Sequence, residues 1–321
     1  MQELITTILL FAVALFFLIK SADYLVKYSE KLGLSLGVPQ FIIGITIISA
    51  GTSLPELATS IFSIIKGEPG MVAGNVIGSN IANILLVVGV TTIIAKKVEI
   101  KRSIIRLDLP LLIGASAILV LTVMDGKFSF IEAIVSILGF IIYLIYSLTQ
   151  QKKPLEKVEK GMLKAMDGEK RPPFKWSYFP IIIVSAAVLY LSANYAIEAV
   201  IGLGALLNLD TAVIAITAVA IGTSLPELLV SIVAAKKGNF EIALGNILGS
   251  NIFNGFMIMG VAGLITELPV QPAVLTIGVP FLIIATIFLA FSGIERKFYN
   301  WEGALYLILY FLFIGQLFNF I

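Results

Sequence analysis

Runs of apolar residues about twenty long alternate with short polar breaks along most of the chain. They predict helices at 4–20, 38–65, 70–95, 104–124, 129–149, 178–202, 211–235, 241–264, 272–292 and 300–320. About 20 apolar residues suffice to cross the hydrocarbon core of a bilayer. None of the runs shows the every-second-residue alternation of an outer-membrane barrel strand. The pattern predicts an all-α polytopic membrane protein of ten transmembrane helices. One long polar stretch, at about 150–177, interrupts it. Leu155, Val158, Met162 and Met166 fall on one helical face there, so a surface-lying amphipathic helix and a plain linker both remain open. The chain thus divides into a five-helix unit at 1–149, a linker at 150–177 and a second five-helix unit at 178–321.

The two units repeat one another. Residues 42–90 align without a gap on 213–261, with 23 identities in 49 positions. Both copies contain GTSLPEL, at Gly51–Leu57 and Gly222–Leu228, and GN-x-x-GSNI-x-N, at Gly74–Asn83 and Gly245–Asn254. Chance similarity between apolar segments does not produce two polar motifs at matched spacing. Because each unit has an odd number of helices, the second must enter the membrane in the opposite sense. That is the inverted-repeat arrangement of secondary transporters, with a site near the midplane.

The charges orient this scaffold. All but Lys66 and Lys127 of the 22 Lys and Arg residues fall in loops on one side if the N-terminus is outside. The positive-inside rule then places both termini outside and the central loop in the cytoplasm of a plasma-membrane protein. The first basic residue, Lys20, follows the apolar run Leu4–Ile19, so that run is expected to be a retained helix and not a cleaved signal peptide. With 59% hydrophobic and 13% charged residues, and a mean hydropathy of +1.03, a soluble enzyme, a nucleic-acid binder and a disordered scaffold are excluded.

The chain has no Cys and no His. Any metal site must therefore be built from oxygen, which favours hard cations such as Na+, K+, Ca2+ or Mg2+. Glu56 and Glu227 lie within apolar helices, where a carboxylate costs at least about 2.5–3.5 kcal/mol and marks a functional candidate. Pro55 and Pro226 each remove an amide and crowd the carbonyl four residues back, at Gly51 and Gly222. Helices broken there would expose backbone carbonyls beside the hydroxyls of Thr52, Ser53, Thr223 and Ser224. Asn75, Ser79 and Asn83 share one helical face, as do Asn246, Ser250 and Asn254. Ser79, Asn83, Ser250 and Asn254 are candidate ligands. For Asn75, Asn80, Asn246 and Asn251, interhelical packing is an equally good reading. The Gly74/Gly78 and Gly245/Gly249 pairs allow close helix approach.

These paired motifs resemble the two alpha repeats of the cation/calcium exchanger superfamily, and the short central loop resembles its compact prokaryotic sodium/calcium exchangers. The resemblance implies a non-enzymatic antiporter that exchanges Na+ for Ca2+ by alternating access. It implies Ca2+ held by Glu56 and Glu227 with the Thr52 and Thr223 carbonyls. It implies flanking Na+ sites at Ser53, Ser79, Ser224 and Ser250, with the carbonyls of Ser49 and Ala220. Asn83 and Asn254 match the family's last polar positions. Some relatives, including potassium-dependent ones, carry aspartate where this chain has Asn254, which argues against K+ dependence. Na+ and Ca2+ are the expected cargo, protons the expected competitors, and neither a cofactor, a nucleic acid nor an obligatory protein partner is expected. A Ca2+/H+ antiporter on the same scaffold is the alternative.

Overall fold

The computed structural model describes residues 2–37, 40–95, 97–99, 102–150, 173–206, 224–295 and 297–318. Among these residues there are ten continuous helices. They are α1 (Gln2–Ser35), α2 (40–65), α3 (Met71–Ala95), α4 (Arg102–Val123), α5 (Phe130–Gln150), α6 (Tyr178–Leu206), α7 (Leu225–Lys236), α8 (Phe240–Ile265), α9 (Val274–Ile294) and α10 (Asn300–Leu317). Seven of them are long and apolar enough to cross a membrane, so the chain is a multi-pass membrane protein. The surface-helix expectation at 155–166 lies outside the described residues.

Two expectations need correction. The first helix does not stop at residue 20 but runs on to Ser35. Lys20, Asp23, Lys27, Glu30 and Lys31 lower the hydropathy there, yet Ala22, Leu25, Val26, Ser29 and Leu32 are buried at helical spacing and carry the helix on. At 34 residues, α1 is about 51 Å long and outreaches the bilayer core. Nor does Pro55 break α2: the α-helical segment Ser49–Ile65 passes straight through it. The irregularity lies one turn earlier, in a π-helical segment at Gly44–Ile48. A π turn leaves backbone carbonyls without their usual amide donors, and one of them, Ile45 O, accepts from Ser49 Oγ (2.8 Å) and Tyr143 Oη (3.1 Å). In the second unit the helix begins after Ser224, with Pro226 in its first turn where no amide is needed.

Similar π segments follow the Asn-rich motif in both units, at Asn83–Val87 and Phe253–Ile258. The packing follows the repeat. Helix α1 lies along α6, and α4 packs on α9. The last helix of each unit, α5 or α10, packs on the third helix of the other, α8 or α3. Two short ribbons follow the same exchange. Strand β1 (Lys97–Glu99) pairs with β4 (Lys297–Tyr299), and β2 (Lys127–Phe128) with β3 (Leu268–Pro269), both antiparallel. Helix α4 connects β1 to β2, so the two ribbons cap opposite ends of the bundle.

The large apolar core is built from α3, α4, α8, α9 and α10. A second core joins α1 and α6 to α2, α7 and α8. The motif residues sit where these two meet.

Candidate ion-binding site

Helix α2 carries Ser49, Thr52, Ser53 and Glu56 at spacings of three and four, so all four share one face. That face is buried, and Glu56 is only 1% exposed. Helix α7 presents Glu227 near its start, fully buried, with Ser224 just before it. Ser79 and Asn83 on α3, and Ser250 and Asn254 on α8, are buried as well. The ten candidates within the described residues therefore all lie inside the protein. Thr223 and Ala220 fall outside the described residues.

The two units interlock at this point. Ser53 Oγ donates to Glu227 Oε1 (3.3 Å), which joins a hydroxyl of the first motif to the carboxylate of the second. Thr52 Oγ1 donates to Asn246 Oδ1 (3.1 Å) and lies 3.4 Å from Ser250 Oγ. Hydroxyls of both units, Thr52, Ser53 and Ser250, thus gather at the junction where Ser53 meets Glu227. The π segment bearing Asn254 packs on α2, and the one bearing Asn83 packs on α7. Each unit's polar turn therefore lies against the other unit's glutamate helix.

Two asparagines act as scaffold. Asn75 Nδ2 reaches Ser60 Oγ (3.4 Å), and its repeat counterpart Asn246 Nδ2 reaches Ser231 Oγ (3.2 Å). These equivalent bonds tie each glutamate helix to the helix after it. Close packing joins the two units as well: a Cβ on Gly249 of α8 would stand 2.5 Å from Ile45 O and 2.6 Å from Ser49 Oγ of α2.

Other polar atoms have no such partner. Among the described residues, both oxygens of Glu56, Oε2 of Glu227, the hydroxyl of Ser224 and the side-chain amides of Asn83 and Asn254 are buried without a hydrogen-bond partner. Buried polar groups left unmade are costly, about 1–3 kcal/mol each and more when charged. Among the described residues neither glutamate pairs with Lys or Arg. Carboxylates, hydroxyls and amide oxygens at one buried point make a donor set for a hard cation.

A cavity of about 160 Å³ reaches Glu56. It is lined by Pro55, Glu56 and Thr59 of α2, Pro226 of α7, and Tyr190, Ala193, Asn194 and Ile197 of α6. The sequence reading expected no functional residue on α6, so Tyr190 and Asn194 were missed. A signal existed: Ser21-Ala22-Asp23-Tyr24 and Ser192-Ala193-Asn194-Tyr195 stand at the same offset as the motifs and extend the repeat into α1 and α6.

Comparison with known proteins agrees with the fold. The family model described as sodium/calcium exchanger protein matches residues 6–149 and 177–318. The sodium/calcium exchanger MaX1 of Methanosarcina acetivorans is 32% identical over 97% of this chain and 98% of its own. The inner membrane protein YrbG of Escherichia coli is 31% identical over 82% of this chain and 81% of its own. Among solved structures, the sodium-calcium exchanger NCX_Mj soaked in Na+ without Ca2+ superposes with a TM-score of 0.81 at 30% identity, over 98% of this chain and 99% of that one.

Proposed function

The chain belongs to the sodium/calcium exchanger family, and on that premise we propose that it is an electrogenic, K+-independent antiporter exchanging Na+ for Ca2+ by alternating access. The observation that carries the proposal is the burial of Glu56 and Glu227, one from each repeat, with a hydroxyl of the first repeat on the carboxylate of the second. With both ionised the site holds two negative charges. One Ca2+ neutralises them, as do two Na+. A third Na+ gives the loaded site one positive charge, so a 3:1 cycle moves one net charge, worth about 2.3 kcal/mol per 100 mV. An empty site of two buried negative charges is costly to occlude, and this couples the two ions.

The ligands follow the same reading. Glu56 and Glu227 with the Thr52 and Thr223 carbonyls take Ca2+. Ser53, Ser79, Ser224 and Ser250, with the Ser49 and Ala220 carbonyls, take Na+, and Asn83 and Asn254 complete the centre. The repeats are inverted about an axis in the membrane plane. Supporting this, β1 and β3 begin at equivalent positions of the two units and lie in ribbons at opposite ends of the bundle. Both termini are outside and the linker is cytoplasmic, as the Lys and Arg distribution favours. The α1–α6 pair slides over the motif-bearing helices and exposes the site to each side in turn.

The test is Ca2+ uptake by proteoliposomes loaded with Na+, in Na+-free medium. Uptake should require internal Na+ and should vanish in Glu56→Gln and Glu227→Gln. Uptake driven instead by a pH gradient would move the protein to proton coupling. Uptake that persists without internal Na+ or in either variant would overturn the reading.

A further inference from the structure

At one end of the bundle α1 is tied to the turn between α7 and α8. Asp23 Oδ1 lies 2.7 Å from Lys237 Nζ, which also donates to the Asp23 carbonyl oxygen at 3.3 Å. Two turns further along α1, Glu30 Oε1 accepts from Asn239 Nδ2 at 2.9 Å. Lys237 and Asn239 flank Gly238, whose φ of 77° turns the chain from α7 into α8. Helix α1 is thereby pinned to two helices of the site.

The repeat shows what should stand at the other end. At the offset of 171 residues, Lys237 corresponds to Lys66, so the cation is kept. Asp23 corresponds to Asn194 and Glu30 to Ile201, so both acceptor carboxylates are gone. Asn194 instead lines the cavity that reaches Glu56. One end of the bundle thus carries an ionic tie; the equivalent end carries a cavity and, in α6, neither acceptor carboxylate.

We infer that Asp23 and Lys237, seconded by Glu30 and Asn239, form a latch that holds the carrier open on the Glu56 side. They are positioning residues: they touch no ion, and they set the proportion of the two access states. The inference rests on the sliding-pair reading above.

The chain lacks cysteine, so single cysteines report accessibility without background. Thr59 lines the open cavity, and its repeat counterpart Val230 is buried. In purified protein in nanodiscs, the rate of modification of Val230→Cys by a polar maleimide reads the minor, oppositely open state. A half-exposed ion pair shifts an equilibrium by at most about fivefold, or about 1 kcal/mol. The minor population follows that factor almost fully. Asp23→Asn and Lys237→Gln should each raise Cys modification at 230 by about twofold to fivefold. The double reversal Asp23→Lys with Lys237→Asp should return it to the starting rate. Lys27→Gln, which removes a charge from α1 outside the latch, should leave it unchanged. Asn194→Asp, which puts a carboxylate at the position equivalent to Asp23, should lower modification of Thr59→Cys. Unchanged rates in the single variants, no return in the double reversal, or an equal rise in Lys27→Gln would overturn the latch. The labelling needs no ion gradient, so failure of the proposed exchange and failure of the latch remain distinguishable.

Discussion

The side-chain amide of Asn80 donates to the backbone carbonyl of Asn251 at 3.2 Å, and the two residues hold the same position in the two repeats. A residue that touches its own counterpart stands beside the axis relating the halves. Replacing Asn80 by Ala removes that buried bond and should cost about 0.5–1.5 kcal/mol. Asn251→Ala should cost less, because the acceptor is backbone and both side-chain polar atoms of Asn251 lack a partner among the described residues. Thermal unfolding in detergent checks this; equal losses would place the bond's importance elsewhere.

Gly78 and Gly249 are equivalent in sequence and unlike in surroundings. A Cβ at 249 would collide with the Ile45 carbonyl and the Ser49 hydroxyl, whereas at 78 it meets no heavy atom within 4 Å among the described residues. Gly249→Ala should lose about 1–3 kcal/mol of stability and most exchange, as overpacking does. Gly78→Ala should keep both. Unfolding temperature and Na+-driven Ca2+ uptake, measured side by side, decide it.

Much of this was readable in the sequence, for separable reasons. The ten helices follow from hydropathy, which is strong in a bilayer because no other element satisfies its own backbone there. The glutamates stand out because charge is expensive at that depth. What stayed hidden depends on contacts between helices. The extension of α1 past Lys20 rests on a narrow buried stripe that averaging over a window erases. The smooth passage of α2 through Pro55 was invisible because proline alone does not say where a helix yields. The place of Asn194 beside Glu56 required knowing that α6 lies across α2.

Tyr143 Oη donates to Ile45 O, inside the π segment that leads into Ser49. Tyr143→Phe removes this bond and should cost about 0.5–1.5 kcal/mol of stability. If the Ser49 carbonyl serves Na+, the half-maximal Na+ concentration for exchange should also rise by about twofold to tenfold. Half-maximal Ca2+ should move less. A uniform loss for both ions would count against a specific role in Na+ binding.

Acid should oppose exchange through the same two carboxylates. A proton on Glu56 or Glu227 removes one of the two charges that attract Ca2+. Protons and Ca2+ then compete, and apparent Ca2+ affinity should fall by up to about tenfold per pH unit for each competing proton. The sign is a loss of uptake at subsaturating Ca2+ as pH falls, with recovery at high Ca2+. Uptake that ignores pH at low Ca2+ would show that protons do not reach the site.

Asn254 is buried among the candidate ligands and uncharged, and it sets the total charge of the site. With two carboxylates, one Ca2+ leaves the site neutral. Asn254→Asp adds a third carboxylate, and one Ca2+ then leaves a residual negative charge in a medium that penalises it strongly. A monovalent cation alongside Ca2+ would cancel that charge. The wild type should therefore transport Ca2+ at a rate indifferent to K+ when Na+ and voltage are held constant. The Asn254→Asp variant should transport slowly without K+ and be stimulated by adding it. Measuring Ca2+ uptake with K+ replaced by a large organic cation separates the cases. K+ stimulation of the wild type, or no change in K+ response on adding the carboxylate, would show that the residue at 254 does not set cation co-binding.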